Sequence, residues 1–178
     1  EKTVEDRLSD DCFAYRPGRS VEDAIARITL WRLRGLCWVA EGDIASFFDC
    51  ICHRRLMNQI RRIVFCPDLF RLIEIWLRSF SRSGLGIAQG SPLSPVLANL
   101  YLVDWDRRVA GRQVKLVRYA DDFILLCRSE AAAVKALIRA GIALADEGLA
   151  LKPAKSGVTS FAQGFAFLGY WLQADGVS

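Results

Sequence analysis

Two aspartates side by side, Asp121 and Asp122, interrupt a largely apolar stretch that runs from Val114 to Cys127. Adjacent like charges repel, and apolar surroundings such as Phe123, Ile124 and Leu125 raise the cost of each charge further. A divalent cation removes that conflict, and hard carboxylate oxygens suit Mg²⁺ or Mn²⁺. Asp43 is a third carboxylate in a comparable setting, near the end of a run that begins Cys37-Trp38-Val39. If the two runs pair in one sheet, three carboxylates converge. Two metals about 3.5–4 Å apart could then activate a hydroxyl and stabilise a departing pyrophosphate, the two-metal route of phosphoryl transfer. Plainer roles exist for the same residues. An Asp-Asp turn also suits a solvated surface, and Asp43 could end a strand or cap a helix, a role for which Asp49 is the better candidate.

The carboxylates need elements to carry them. Residues 114–119 and 123–127 are β-prone, and Ala120-Asp121-Asp122 between them predicts a tight hairpin with the acids at its tip. The apolar run at 37–39 entering Asp43-Ile44 predicts a buried strand. Ser20 is placed to cap a helix reaching about Gly35, with Val21, Ala24, Ile25, Ile28 and Leu33 at helical spacing. Periodicity predicts helices over about 54–63 and 68–79, separated by Pro67, and another from Pro92 to about Val109 with Pro92 in its first turn. Gly84, Gly86 and Gly90 form a flexible loop whose spacing matches neither a dinucleotide fingerprint nor a Walker loop. A helix over about 130–147, closed by Gly148, and short β-like pieces near Val158 and at 165–171 complete the order. This α+β order suits a ferredoxin-like sheet with helices packed on one face.

With 178 residues, 52% of them hydrophobic, the chain can bury one substantial core as a single domain. Charge breaks every apolar run before the roughly 18 residues a bilayer span needs, and the acidic start is unlike a signal peptide, so a cytoplasmic protein with no membrane partner is expected. Met57 is the only methionine, which suggests a piece of a longer polypeptide. A net charge of +4 says little about partners, but seven arginines stand between residues 54 and 82 against Asp68 and Glu74 alone. That segment could track a phosphate backbone or form the solvated face of two helices. Six cysteines without recurrent spacing read as reduced core thiols, and Cys50-Ile51-Cys52-His53 lacks the fourth ligand of a structural zinc site.

Several segments together resemble the reverse transcriptases, most of all the bacterial group II intron-like branch. Residues 13–20, Phe-Ala-Tyr-Arg-Pro-Gly-Arg-Ser, resemble a fingers motif, and Asp43-Ile44-Ala45-Ser46-Phe47-Phe48-Asp49 resembles the motif carrying the first metal aspartate. Gln89-Gly90-Ser91-Pro92-Leu93-Ser94-Pro95 is similar to the template and nucleotide motif, and Tyr119 to Asp122 is similar to the Tyr-x-Asp-Asp signature. Gly148-Leu149 with Lys155 resembles the motif that supplies a general acid, and Phe167-Leu168-Gly169-Tyr170 resembles the primer grip. The resemblance covers about residues 7–172 and implies a right-hand polymerase with a ferredoxin-like palm, partial fingers and no thumb. Residues 1–36 would belong to the fingers and 37–178 to the palm, with a fingers-like helical insertion over about 53–90 and a primer-grip region at 165–172.

The same resemblance implies roles. Asp43, Asp121 and Asp122, with the backbone of Ile44, would hold two Mg²⁺ ions, for which Mn²⁺ could substitute. Phe48 would be a steric gate against the ribose 2′-hydroxyl, Gln89, Gly90 and Tyr119 would border the nucleotide, and Arg16 or Arg19 could meet its triphosphate. Lys155 would protonate pyrophosphate, and Phe167, Leu168 and Gly169 would hold the primer. Without the motif context each has a duller reading: Phe48 as core, Gln89 as a loop polar group, the arginines and Lys155 as solvated charges. His53 suits capping or packing better than catalysis, and Ala88 departs from the proline usual in that motif. Expected partners are an RNA or DNA template, a DNA primer and deoxynucleotides. The forms at 14–20 and 161–169 look most like enzymes attached to CRISPR integrases, so an integrase partner or fusion is expected, with group II intron and retron enzymes as alternatives. A nucleotide cyclase would share the palm but carry a glycine-rich acidic hairpin, and a non-catalytic nucleic-acid-binding module would not need all three aspartates.

Overall fold

The computed structural model describes residues 2–178. Strands β1 (Trp38–Asp43), β2 (Lys115–Tyr119), β3 (Asp122–Cys127) and β4 (Gly157–Ser160) form one antiparallel sheet in the order β2-β3-β1-β4. This is the split βαβ order of a ferredoxin-like sheet. A second, three-stranded sheet contains β5 (Phe165–Phe167), β6 (Tyr170–Gln173) and β7 (Gly176–Val177).

The central strands are apolar without alternation because both of their faces are covered. Residues Phe123 to Cys127 are fully buried in β3, as are Val39 and Ala40 in β1. On one face Ala40, Leu116, Phe123 and Leu125 pack in a core with helices α6 (Ser94–Tyr101), α7 (Val103–Val109) and α8 (Glu130–Asp146). The helices ahead of them are α1 (Lys2–Glu5), α2 (Val21–Leu33), α3 (Phe47–Cys50), α4 (His53–Ile60) and α5 (Pro67–Phe80). The opposite face is not bare, as a one-sided arrangement would leave it. Val39, Val117, Ile124 and Leu126 meet Ala24, Ile25 and Ile28 of α2 and Phe165, Phe167 and Leu172 of the second sheet.

Local chemistry explains most helix ends. The Ser20 hydroxyl accepts from the Asp23 amide at 3.2 Å while the Asp23 carboxylate accepts from the Ser20 amide at 2.8 Å, a reciprocal capping box. Pro67 does not stand between two helices but lies in the first turn of α5, where its missing N–H costs nothing. The helix expected over 92–109 is two, broken at Leu102, with Pro95 rather than Pro92 in the first turn. The Tyr101 carbonyl accepts from Gln59 Nε2 of α4 at 3.2 Å, a partner supplied from outside the helix. The cysteines are also less uniform than a set of core thiols: Cys12 and Cys127 are buried, but Cys37 and Cys66 are exposed. No helix among the described residues is long and apolar enough to cross a membrane.

Gly42 sits where β1 crosses the Phe123 ring. A Cβ there would lie 2.5 Å from Phe123 Cζ and 3.2 Å from Leu151 Cδ2. Gly42→Ala should therefore destabilise the fold by about 1–3 kcal/mol through overpacking, read as a lower midpoint in urea denaturation.

Candidate active site

The strand register decides the geometry. Asp43, last in β1, stands directly opposite Asp122, first in β3, and the Ile44 amide donates to the Asp121 carbonyl at 3.2 Å. Asp43 and Asp121 line a cleft of about 730 Å³ together with Tyr15, Phe48, Gln89 and Gly90. Asp122 lines a neighbouring hollow of about 280 Å³ beside Phe167 and Leu168. Lys155 borders both recesses.

Backbone pairing brings Lys155 there. The Lys152 amide donates to the Asp43 carbonyl at 2.8 Å, the Ala45 amide to Ala150 at 2.9 Å, and Ile44 bridges Leu151. A 3-10 turn at Pro153–Lys155 then carries the ammonium back over Asp43, where Nζ donates to Oδ2 at 2.7 Å. The hydrogen bond and charge of Asp43, followed by the charges of Asp122 and Asp121, hold the Lys155 pKa above the ordinary lysine value. Asp122 is raised above the usual carboxylate range, first by burial and then by the negative charges of Asp121 and Asp43. Asp122 thus senses the other two carboxylates.

These residues fit divalent cations that are completed by substrate. Among the described residues no three His, Cys, Asp or Glu side chains form a closed metal cage. Mg²⁺ seldom needs one, since one or two carboxylates plus phosphate oxygens and water suffice. The carboxylates of Asp43, Asp121 and Asp122, with the Ile44 carbonyl, which accepts no hydrogen bond among the described residues, are hard oxygen donors of the kind required.

The remaining expected residues divide. Phe47 is core, 2% exposed, whereas the adjacent Phe48 stands half-buried at the cleft wall, its carbonyl accepting from Ile87 at 2.9 Å. Gln89 and Gly90 are exposed on the facing loop, and Gly90 adopts a left-handed φ of 86°. Phe167 and Leu168 border the Asp122 hollow, and Gly169 follows with φ 86°. Neither arginine of the fingers motif lines the cleft. Arg16 is buried, bonded to Glu5 at 2.6 Å and to the carbonyls of Ser9 and Cys12 at 2.6 and 2.8 Å. Arg19 pairs with Asp10 at 3.0 Å over the Phe13 ring. Buried and turned onto Glu5 and two carbonyls, Arg16 does not line the cleft, so this arrangement does not place it against a triphosphate there. Tyr119 packs against the second core instead of lining the cleft. The tyrosine at the cleft is Tyr15, 51% exposed, with its phenol pKa raised by burial and then by Asp121 and Tyr119.

Tyr15 went unrecognised in the sequence, as did the device beneath Asp121. Arg118 is wholly buried and binds both oxygens of buried Asp106 at 2.7 Å. Its Nη1 also donates to Asn99 Oδ1 at 3.0 Å and to the Ala120 carbonyl at 2.9 Å. Asn99 in turn donates to the Ala14 carbonyl at 2.8 Å, next to Tyr15. One guanidinium therefore ties the hairpin tip to the segment that presents Tyr15. A charged residue inside an apolar strand was the available signal. Removing one partner leaves the other charge buried, so Arg118→Met should cost about 3–5 kcal/mol, measured as a loss of denaturation free energy.

Backbone strain marks the same place. The four non-glycine residues with left-handed φ among those described are Tyr15 (59°), Ser46 (45°), Ala120 (58°) and Leu168 (52°). Tyr15 and Ser46 line the cleft, Ala120 precedes Asp121, and Leu168 lines the hollow. Each such residue costs of order 1–3 kcal/mol and persists where surrounding structure imposes it, as at functional sites.

Residues 1–172 match the family described as reverse transcriptase (RNA-dependent DNA polymerase). The chain belongs to that family. It is 30% identical to Protein YkfC of Escherichia coli (strain K12), over 90% of this chain and 54% of that protein. It is also 30% identical to the group II intron-encoded protein LtrA of Lactococcus lactis subsp. cremoris, over 70% of this chain and 22% of that protein. The chain thus spans about half the length of the first relative and about a fifth of the second. Its fold superposes on an apo telomerase from Candida tropicalis, truncated from its C-terminal domain, with a TM-score of 0.76 at 15% identity, covering 97% of this chain and 42% of that one. That likeness is one of fold.

Proposed function

We propose that this chain is the catalytic core of an RNA-directed DNA polymerase, adding deoxynucleotides to a DNA primer 3′-hydroxyl on an RNA or DNA template. The observation that carries the reading is the register that sets Asp43 opposite Asp122 with Asp121 in the same cleft as Phe48 and Gln89. Two Mg²⁺ ions, replaceable by Mn²⁺, would be held by Asp43, Asp121, Asp122 and the Ile44 carbonyl, and would supply Lewis-acid activation of the 3′-hydroxyl and charge stabilisation at the leaving pyrophosphate.

The protein's own groups do the rest. Phe48 occupies the space beside the sugar, Gln89 and Gly90 face it across the cleft, and Tyr15 walls the Asp121 side. Phe167 and Leu168 border the Asp122 hollow, where the primer end would lie, and Gly169 follows them in the turn. In this reading residues 1–36 serve as fingers and 37–178 as palm, with the helices of 53–90 as an insertion. Lys155 is the proton donor to pyrophosphate. The charges that raise its pKa in the metal-free protein would be offset by divalent ions on Asp43, Asp121 and Asp122, so in the loaded enzyme it should titrate nearer the ordinary lysine value and activity should fall on the alkaline side. Lys155→Ala should slow extension about 10²–10⁴-fold and remove that alkaline limb, as read from a pH–rate profile.

The testing experiment is primer extension by the full-length protein on RNA and DNA templates with Mg²⁺ or Mn²⁺. Templated growth from deoxynucleotides is expected; tight binding of primer–template without extension under any metal supports a non-catalytic module instead. Within this function we assign the copying of RNA for CRISPR spacer acquisition, alone or with an integrase partner, on the motif forms at 14–20 and 161–169. An integrase gene and a CRISPR array beside the parent gene are the expected neighbours, and an intron surrounding that gene overturns the assignment.

A further inference from the structure

Behind the catalytic cleft lies a second recess of about 790 Å³ between α4, α5 and the loop that follows them. Its lining includes four arginines, Arg54, Arg61, Arg78 and Arg82, and one carboxylate, Glu74. Arg78 is bound to Glu74 at 2.8 Å, so the only acid in the recess is already taken. Arg54, Arg61 and Arg82 have no carboxylate within ion-pair distance among the described residues.

Their neighbours in the chain behave differently. Arg55 pairs with Glu147 at 3.0 Å and Arg62 with Asp104 at 3.5 Å. Adjacent arginines in the pairs 54–55 and 61–62 thus split, one neutralised by the body of the protein and one left facing the recess. A merely solvated charged face gives no reason for that division. Arg54 and Arg61 are seven residues apart, two helical turns on one face and about 10 Å along the axis. The Arg61 guanidinium lies over the Phe70 ring at 5.1 Å from its centroid, which fixes its direction.

The recess is continuous in chain with the catalytic cleft. Residues 48–49 line the cleft and 53–54 the recess; Gln89 and Gly90 line the cleft and Ser83 and Gly84 the recess. His53 locks the two segments together, its amide donating to the Gly84 carbonyl at 2.9 Å and its Nε2 standing 2.6 Å from the Gly86 carbonyl. The loop that brings Gln89 to the cleft thus also borders the recess with its unpaired guanidiniums.

We propose that this recess is a second nucleic-acid site, holding the phosphodiester backbone of a single strand that extends beyond the catalytic cleft. The inference rests on the polymerase reading for its choice of polyanion. Its lining holds no Phe, Tyr or Trp, and His53 is buried and held by the Gly84 and Gly86 carbonyls, so bases are not stacked there and binding is independent of sequence.

The test compares the full-length protein with Arg54→Gln/Arg61→Gln/Arg82→Gln, all exposed positions outside the catalytic cleft. Binding is measured without nucleotide or divalent metal, on a blunt primer–template and on one with a long single-stranded extension, across a salt series. For the extended substrate the variant should lose about tenfold or more in affinity. Its slope of log K against log salt should shrink by about 2, the contribution of three single-strand phosphates. Binding to the blunt substrate should stay unchanged, and homopolymer extensions of different base should behave alike. An unaltered salt slope overturns the proposal, as does an equal loss on the blunt substrate. Displacement by an acidic peptide with no effect of the nucleic-acid extension would assign the recess to a protein partner and overturn it as well. Because the binding arm needs no catalysis, a protein that never extends a primer yet shows the slope change refutes the polymerase reading and not the recess.

Discussion

Asp121→Asn should abolish primer extension, lowering the rate by about a thousandfold or more, while leaving the fold and primer–template affinity close to those of the parent. The substitution preserves shape but removes a negative charge from the cleft wall that Asp43 shares. Charge stabilisation of a phosphoryl-transfer transition state is worth several kcal/mol, and each 1.36 kcal/mol is a factor of ten in rate. It should also relieve Asp122, whose carboxyl is pushed up in part by the Asp121 charge, so stability should hold or rise slightly. Steady-state extension assays beside a urea titration separate the two effects. Extension that survives the substitution removes these carboxylates from the chemistry.

Phe48→Val should admit ribonucleotides. Phe48 stands at the cleft wall five residues after Asp43, anchored through its carbonyl to Ile87 and braced edge-on against core Phe47 with ring centroids 5.6 Å apart. In the proposed reading this ring meets the 2′-hydroxyl, and discrimination is steric. Replacing it with a smaller side chain should reduce the preference for deoxynucleotides by about 10–100-fold, seen as a change in the ratio of kcat/KM values, with deoxynucleotide use little affected. Unchanged sugar selectivity would leave Phe48 as a wall residue only.

Both predictions depend on pairings that a linear reading reaches only in part. The hairpin at 115–127 and the strand ending at Asp43 are legible because β-prone runs bounded by turn residues declare themselves locally, and the Ser20 cap and α8 do so for the same reason. The second covered face, the break at Leu102 and the exposure of Cys37 and Cys66 are not legible, since each depends on which distant surface arrives. Arg16 and Arg118 show the limit best. Arg16 reads as a solvated or triphosphate-facing cation and Arg118 only as part of a β-prone run, yet Arg16 is spent on Glu5 and two carbonyls and Arg118 on Asp106, Asn99 and the Ala120 carbonyl.

The sequence by itself determined the kinds of element, their order and the positions of the acids, because helix caps, turn residues and apolar periodicity act over a few residues. Only the tertiary structure decided that Asp43 faces Asp122 in register, that Lys155 lies over Asp43, and that Tyr15 rather than Tyr119 borders the cleft. Those outcomes depend on strand register and on backbone bonds between segments more than a hundred residues apart, such as Lys152 to Asp43. Such bonds form only when the whole core closes around them.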